Sequence, residues 1–142
     1  MHDELIILPP GIGRAYDLGA MHGVFKADGA ETADRYCASE WSVRPGGSGP
    51  GPHRHDANEE VFLVTRGTLW FLVGAEWVEA PAGTFLRIPA GTTHDFENRG
   101  AAPAAAFNVF LPGGFEASFS AWAAQCAVHP PGRGSAGGSP AG

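Results

Sequence analysis

Cysteine is scarce in this chain. Only Cys37 and Cys126 occur, and no CxxC pair is present. Neither a disulfide framework nor a thiolate zinc ribbon can be built from them, so both are expected as free, mostly buried thiols. Charge is thin as well, at 17% of residues, with nine Lys and Arg against 15 Asp and Glu and a formal net charge of −6. The basic residues are scattered from Arg14 to Arg133. No positive face exists to meet nucleic-acid phosphates or an anionic membrane, and neither partner is expected. No apolar run approaches the roughly 20 residues that span a bilayer. The N-terminal MHDELIILPP carries acidic residues where a signal peptide is positive, and its apolar run from Leu5 to Leu8 is too short. The protein is therefore expected to be cytoplasmic. There is no internal repeat, which predicts one structural unit rather than a tandem pair.

What the chain does have is glycine (21) and proline (12), together with 44% hydrophobic residues in a length of 142. That suits one domain of many turns and few long helices. Candidate strands are Arg14–Leu18, His22–Ala27, Ala33–Arg44, Glu60–Thr65, Thr68–Val73, Trp77–Glu79, Thr84–Ile88, His94–Glu97 and Ala104–Leu111. Breakers such as Pro45-Gly46-Gly47, Arg66-Gly67 and Pro89-Ala90-Gly91 divide them. Short strands at such spacing indicate an all-β sandwich or barrel. One short C-terminal helix is expected, because Phe115, Phe119 and Trp122 recur on one helical face. The expected role of this stripe is packing on the outside of the barrel; the alternative is a lid over its mouth. The tail 127–142 is rich in Gly, Pro, Ser and Ala and is expected to be disordered.

The chemistry concentrates in two segments. GSGPGPHRHDANEEVFLVTRG holds an HxH pair, then a carboxylate five residues on, then a glycine seven residues after that. In an extended chain residues i and i+2 share a face, so His53 and His55 can offer imidazoles side by side, and Glu60 can return a carboxylate to the same point. A third imidazole, His94, follows the turn in GTFLRIPAGTTHDFEN. Three imidazoles and one carboxylate suit a divalent first-row transition ion, iron, manganese, nickel, copper or zinc, better than calcium or magnesium. Glu59 is the competing carboxylate, with opposite strand parity. His2, His22 and His129 are expected to be bystanders. Asp95 should face away from the ion, in solvent or in a supporting role.

These segments resemble the two signature motifs of the cupin superfamily. Gly47, His53, His55, Glu60 and Gly67 match the first, and Gly83, Pro89, Gly91, His94 and Asn98 match the second, with 15 residues between Gly67 and Gly83. The likeness covers about Ser39 to Leu111. It implies a double-stranded β-helix, or jelly-roll barrel, within a domain at 1–126, with the metal inside on His53, His55, Glu60 and His94. Gly67 and Gly91 would occupy turns needing φ > 0, Pro89 would set the bend that aims His94, and Asn98 would bond within a turn. LPGGFEASFSAW and FKADGAETADRYCASEW resemble parts of small quercetin-dioxygenase-like cupins.

That resemblance implies a metal-dependent dioxygenase acting on a small phenolic or enol substrate, flavonol- or polyketide-like, with Glu60 as the general base. Two alternatives remain at this point: a redox-neutral isomerase or cyclase, and a non-catalytic metal or small-molecule binding module. Phe62, Val64, Phe71, Phe85, Phe96, Phe107 and Phe110, with Trp41 and Trp70, are the candidates for cavity walls. Arg44, Arg66 and Arg87 are the nearest basic residues. A homodimer is expected, since small jelly rolls cover exposed strand edges with a partner.

Overall fold

The computed structural model describes residues 4–119. The expected tail 127–142, the end of the domain to residue 126, Trp122, Cys126, His2 and His129 lie outside them. Nine strands appear in order: β1 Arg14–Asp17, β2 Met21–Ala27, β3 Cys37–Val43, β4 Glu59–Arg66, β5 Thr68–Val73, β6 Glu76–Pro81, β7 Phe85–Ile88, β8 His94–Glu97 and β9 Ala104–Leu111. They form two antiparallel sheets, one ordered β1-β2-β3-β9-β4-β7 and the other β6-β5-β8. The expected all-β double-stranded β-helix is present.

Alternation decides which side chains face inward. In β9 the inward positions are Ala104, Ala106, Asn108 and Phe110, each buried, while the residues between them are half-buried. In β4 the same period puts Glu60, Phe62 and Val64 inside and Leu63 outside. Phe25, Leu69 and Phe71 are fully enclosed, and each such side chain contributes about 2–3 kcal/mol on removal from water. Gly67 makes the β4–β5 turn at φ +64, and a Cβ there would sit 2.4 Å from the Pro103 carbonyl oxygen. Among the described residues no helix is long and apolar enough to cross a membrane.

Two expectations need correction. The run read as a strand from Ala33 starts only at Cys37, because a short helix, α1 (Gly29–Thr32), intervenes and Ala33 and Asp34 adopt φ values of 53 and 59. The Glu31 carboxylate accepts from the Asp28 backbone N–H at 2.9 Å, the returning half of a capping box. The described residues thus contain two short helices rather than one. The second, α2, begins at residue 115 and is described through 119. It does not pack on the outside of the barrel: Phe119 is 2% exposed and meets Tyr16 and Trp41 at centroid distances of 5.1 Å.

The segment leading into α2 is clasped by α1. The Asp28 carboxylate accepts from Gly114 N at 2.7 Å and Glu116 N at 2.8 Å, and Asp28 itself is 7% exposed. Glu116 in turn accepts from Arg14 Nε and Tyr16 Oη, both at 2.9 Å, and Arg14 also reaches Glu31 at 2.8 Å. The two segments flanking the motif core are therefore bound to one another.

Candidate metal centre

The first imidazole pair is built by backbone pairing. His53 and His94 face each other as an antiparallel bridge, His53 N to His94 O at 3.0 Å and His94 N to His53 O at 2.8 Å. Their rings lie 4.3 Å apart, and His55 is 5.0 Å from His53. Gly49 permits the close approach of this loop to β8, since a Cβ there would lie 1.9 Å from the Phe96 carbonyl oxygen. The turn holding His94 is fixed by Gly91 N donating to His55 O at 2.9 Å, with Gly91 at φ +82.

Glu60 enters from β4 with its carboxylate 2.6 Å from His94 Nε2 and 3.5 Å from His55 Nε2. The four side chains His53, His55, Glu60 and His94 each offer one ligand atom, all within 4.8 Å of one another. Glu59 points the other way and pairs with Arg87 at 2.7 Å on the exposed face. His22 is exposed on β2, outside the cluster.

Ring orientation prepares the inward nitrogens. His53 Nδ1 donates to Gly51 O at 2.8 Å and His94 Nδ1 to Thr92 O at 2.9 Å. A carbonyl can only accept, so each Nδ1 carries the proton and Nε2 faces the centre. Asp95, 6% exposed, supports this: it accepts from Gly51 N at 3.1 Å and Phe96 N at 2.8 Å. It is buried rather than solvated, and burial pushes its pKa up to about 6. Asn98 bonds Val43 O at 3.0 Å and Ala102 O at 2.8 Å, inside a turn.

The electrostatics separate the four groups. Burial pushes the His53 pKa down to about 4, with the adjacent His94 adding to it, and burial lowers His55 too. Burial also works against charge on His94 and Glu60, but their hydrogen bond and mutual attraction outweigh it. His94 is therefore raised and Glu60 lowered. With His94 Nδ1 already donating, the 2.6 Å contact at Nε2 needs a cation between nitrogen and carboxylate, either a proton or a metal ion. This donor set fits a transition ion, which sits about 2.0–2.2 Å from imidazole nitrogen and carboxylate oxygen.

Three members of the cluster, His53, Glu60 and His94, line a cavity of about 420 Å³, counting the solvent at its mouth. Trp41, Phe62 and Phe96 line it as the sequence suggests, joined by Phe115 and Phe119 of the helical stripe and by Met21, Pro50 and Asn108, which sequence reasoning missed. Phe71, Val64 and Phe110 are core residues instead, away from that lining. Phe85 is 64% exposed, Phe107 lies on the outward register of β9, and Trp70 lies under the Arg99 guanidinium at 4.3 Å. Among the described residues no Lys or Arg lines the cavity: Arg44 bonds Gly19 O, Arg87 pairs with Glu59, and Arg66 is exposed. The walls are aromatic.

A family model described as the cupin domain matches residues 39–110. No curated protein matches the chain. Among solved structures, an RmlC-like cupin from Shewanella frigidimarina superposes with a TM-score of 0.68 at 15% identity, covering 82% of this chain and 98% of that one. A predicted oxalate decarboxylase from Thermotoga maritima gives 0.62 at 19% identity, covering 65% and 80%. A sugar phosphate isomerase of the cupin superfamily from Silicibacter pomeroyi gives 0.60 at 23%, covering 66% and 60%. At these identities the likeness is one of fold.

Proposed function

The chain belongs to the cupin domain family, and from that premise we propose that it is a metal-dependent dioxygenase acting on a small phenol or enol. The observation that carries the reading is a cluster of three imidazoles and one carboxylate, of which His53, Glu60 and His94 line an aromatic cavity that no Lys or Arg among the described residues lines. His53, His55, Glu60 and His94 would hold one divalent transition ion, iron, manganese, nickel, copper or zinc. When bound, such an ion supplies Lewis acidity and open positions for oxygen ligands.

The protein's own residues account for binding and proton handling. Trp41, Phe62 and Phe96 offer flat apolar surface to a ring or an enol, and Phe115 and Phe119 of α2 add to that lining. Glu60 Oε2 is the group placed to accept a substrate hydroxyl proton, and His94 Nε2 at 2.6 Å stabilises its charged form. A sugar phosphate would meet no Lys or Arg on these walls among the described residues, which weighs against the redox-neutral sugar chemistry named for one structural neighbour.

Oxygen uptake tests the proposal. Protein loaded separately with iron, manganese, nickel, copper or zinc is offered a panel of catechols, β-diketones and enols under air and under argon. Substrate-dependent oxygen consumption that vanishes in Glu60→Ala is expected. Turnover under argon with zinc loading would contradict the dioxygenase and favour an isomerase or cyclase.

A further inference from the structure

We propose that Asn108 is a positioning residue that restricts Glu60 to ligation through one oxygen, an inference that rests on the metal-site reading above. Asn108 is 1% exposed on the inward face of β9, opposite Ser39 on β3 and Phe62 on β4. Its Nδ2 donates to Glu60 Oε1 at 3.0 Å and to Val61 O at 3.3 Å. Its Oδ1 accepts from Ser39 Oγ at a longer 3.5 Å, and Ser39 Oγ accepts from Trp41 Nε1 at 2.9 Å. A reversed amide would press Oδ1 against a carboxylate and a carbonyl, so the orientation is fixed by the partners.

The carboxylate is thereby divided. Oε1 is taken by the amide of Asn108, while Oε2 is the oxygen facing His94 and His55. A buried carboxylate with both oxygens at liberty can rotate and chelate. With four protein donors a six-coordinate ion keeps two positions for outside ligands, and chelation by Glu60 would remove one. Asn108 keeps that second position open, which is the position a two-oxygen ligand needs. Trp41 is both the cavity wall and the last member of the chain Trp41–Ser39–Asn108–Glu60, so the wall and the carboxylate are held in one register. Gly23 makes room for it: a Cβ there would lie 2.6 Å from the Trp41 ring.

The test uses cobalt(II) as the ion and 4-nitrocatechol, a coloured two-oxygen chelator, as the probe, without oxygen. The full chain is compared with Asn108→Leu and Ser39→Ala. The parent should bind one cobalt per chain and then nitrocatechol. Asn108→Leu should keep the cobalt, change its visible absorption in the sense of a higher protein coordination number, and bind nitrocatechol about tenfold more weakly. Ser39→Ala, which loosens the amide without removing it, should shift both readings in the same direction and serves if the leucine variant does not fold. Parent-like cobalt spectra and nitrocatechol affinity in the folded variants would overturn the role of Asn108 alone. A parent that takes no cobalt would overturn the metal-site reading together with it.

Discussion

Replacing Asp28 with alanine removes the acceptor that holds the start of α2. The carboxylate is 7% exposed and takes two backbone N–H groups, from Gly114 at 2.7 Å and Glu116 at 2.8 Å. A lost helix cap costs about 1 kcal/mol, and a buried donor left without a partner costs about 1–3 kcal/mol. The sum for Asp28→Ala is on the order of 2–4 kcal/mol, since one of the two N–H groups is freed to reach water as the segment loosens. Asp28→Asn keeps one carbonyl acceptor and should lose about half as much. Urea unfolding measures the stability directly. Indole fluorescence follows the local event, because Trp41 contacts Phe119 with ring centroids 5.1 Å apart. The alanine variant should also bind a hydrophobic dye more strongly in native buffer as the aromatic cavity opens. A variant within 0.5 kcal/mol of the parent, by the accuracy expected for surface changes, would refute the clasp.

Proton competition gives a second expectation. Among the four donors only His94 is raised, while His53 is pushed down to about 4 and His55 is lowered, so binding a metal near neutrality displaces a single proton. The apparent metal affinity should fall tenfold per pH unit below the His94 pKa, and titration calorimetry across pH would show a steeper slope near 6.5 if three ordinary histidines titrated together. Gly49→Ala places a Cβ 1.9 Å from the Phe96 carbonyl oxygen, displacing the loop from β8, and should cost about 3 kcal/mol in thermal or urea unfolding while weakening metal uptake. Glu60→Gln should weaken metal binding beyond the roughly 10–100-fold typical of supporting groups. Glu59→Gln, which breaks only the exposed pair with Arg87, should leave metal affinity unchanged and stability within about 1 kcal/mol; equal effects of the two would undo the parity argument.

The convergence of His53, His55, Glu60 and His94 was legible because local chemistry sets it. Turn residues Gly67 and Pro89-Ala90-Gly91 fix where each strand restarts, and the two-residue period then chooses Glu60 over Glu59. Other features were written in the sequence but read wrongly. Asp28 and Glu31 are the spacing of a capping box, yet the alternating run after them drew the strand back to Ala33. Phe107 and Phe110 differ by an odd number of positions and cannot both face inward; the register of β9 keeps Phe110 inside and makes Asn108 the one polar residue on that face. That exception to an apolar pattern was the available signal for the residue holding Glu60. The direction of α2 was not legible, because the Asp28–Glu116 clasp joins positions far apart in the chain, and only the closed fold brings them together.

X-ray absorption at the metal edge of protein loaded with one transition ion tests the central claim most directly. Three imidazole nitrogens and one carboxylate oxygen from the protein are expected at about 2.0–2.2 Å, with the imidazole signal reduced in His53→Ala and in His94→Ala. An ion surrounded by water and carboxylate oxygens alone, or a spectrum unchanged by both substitutions, would contradict it.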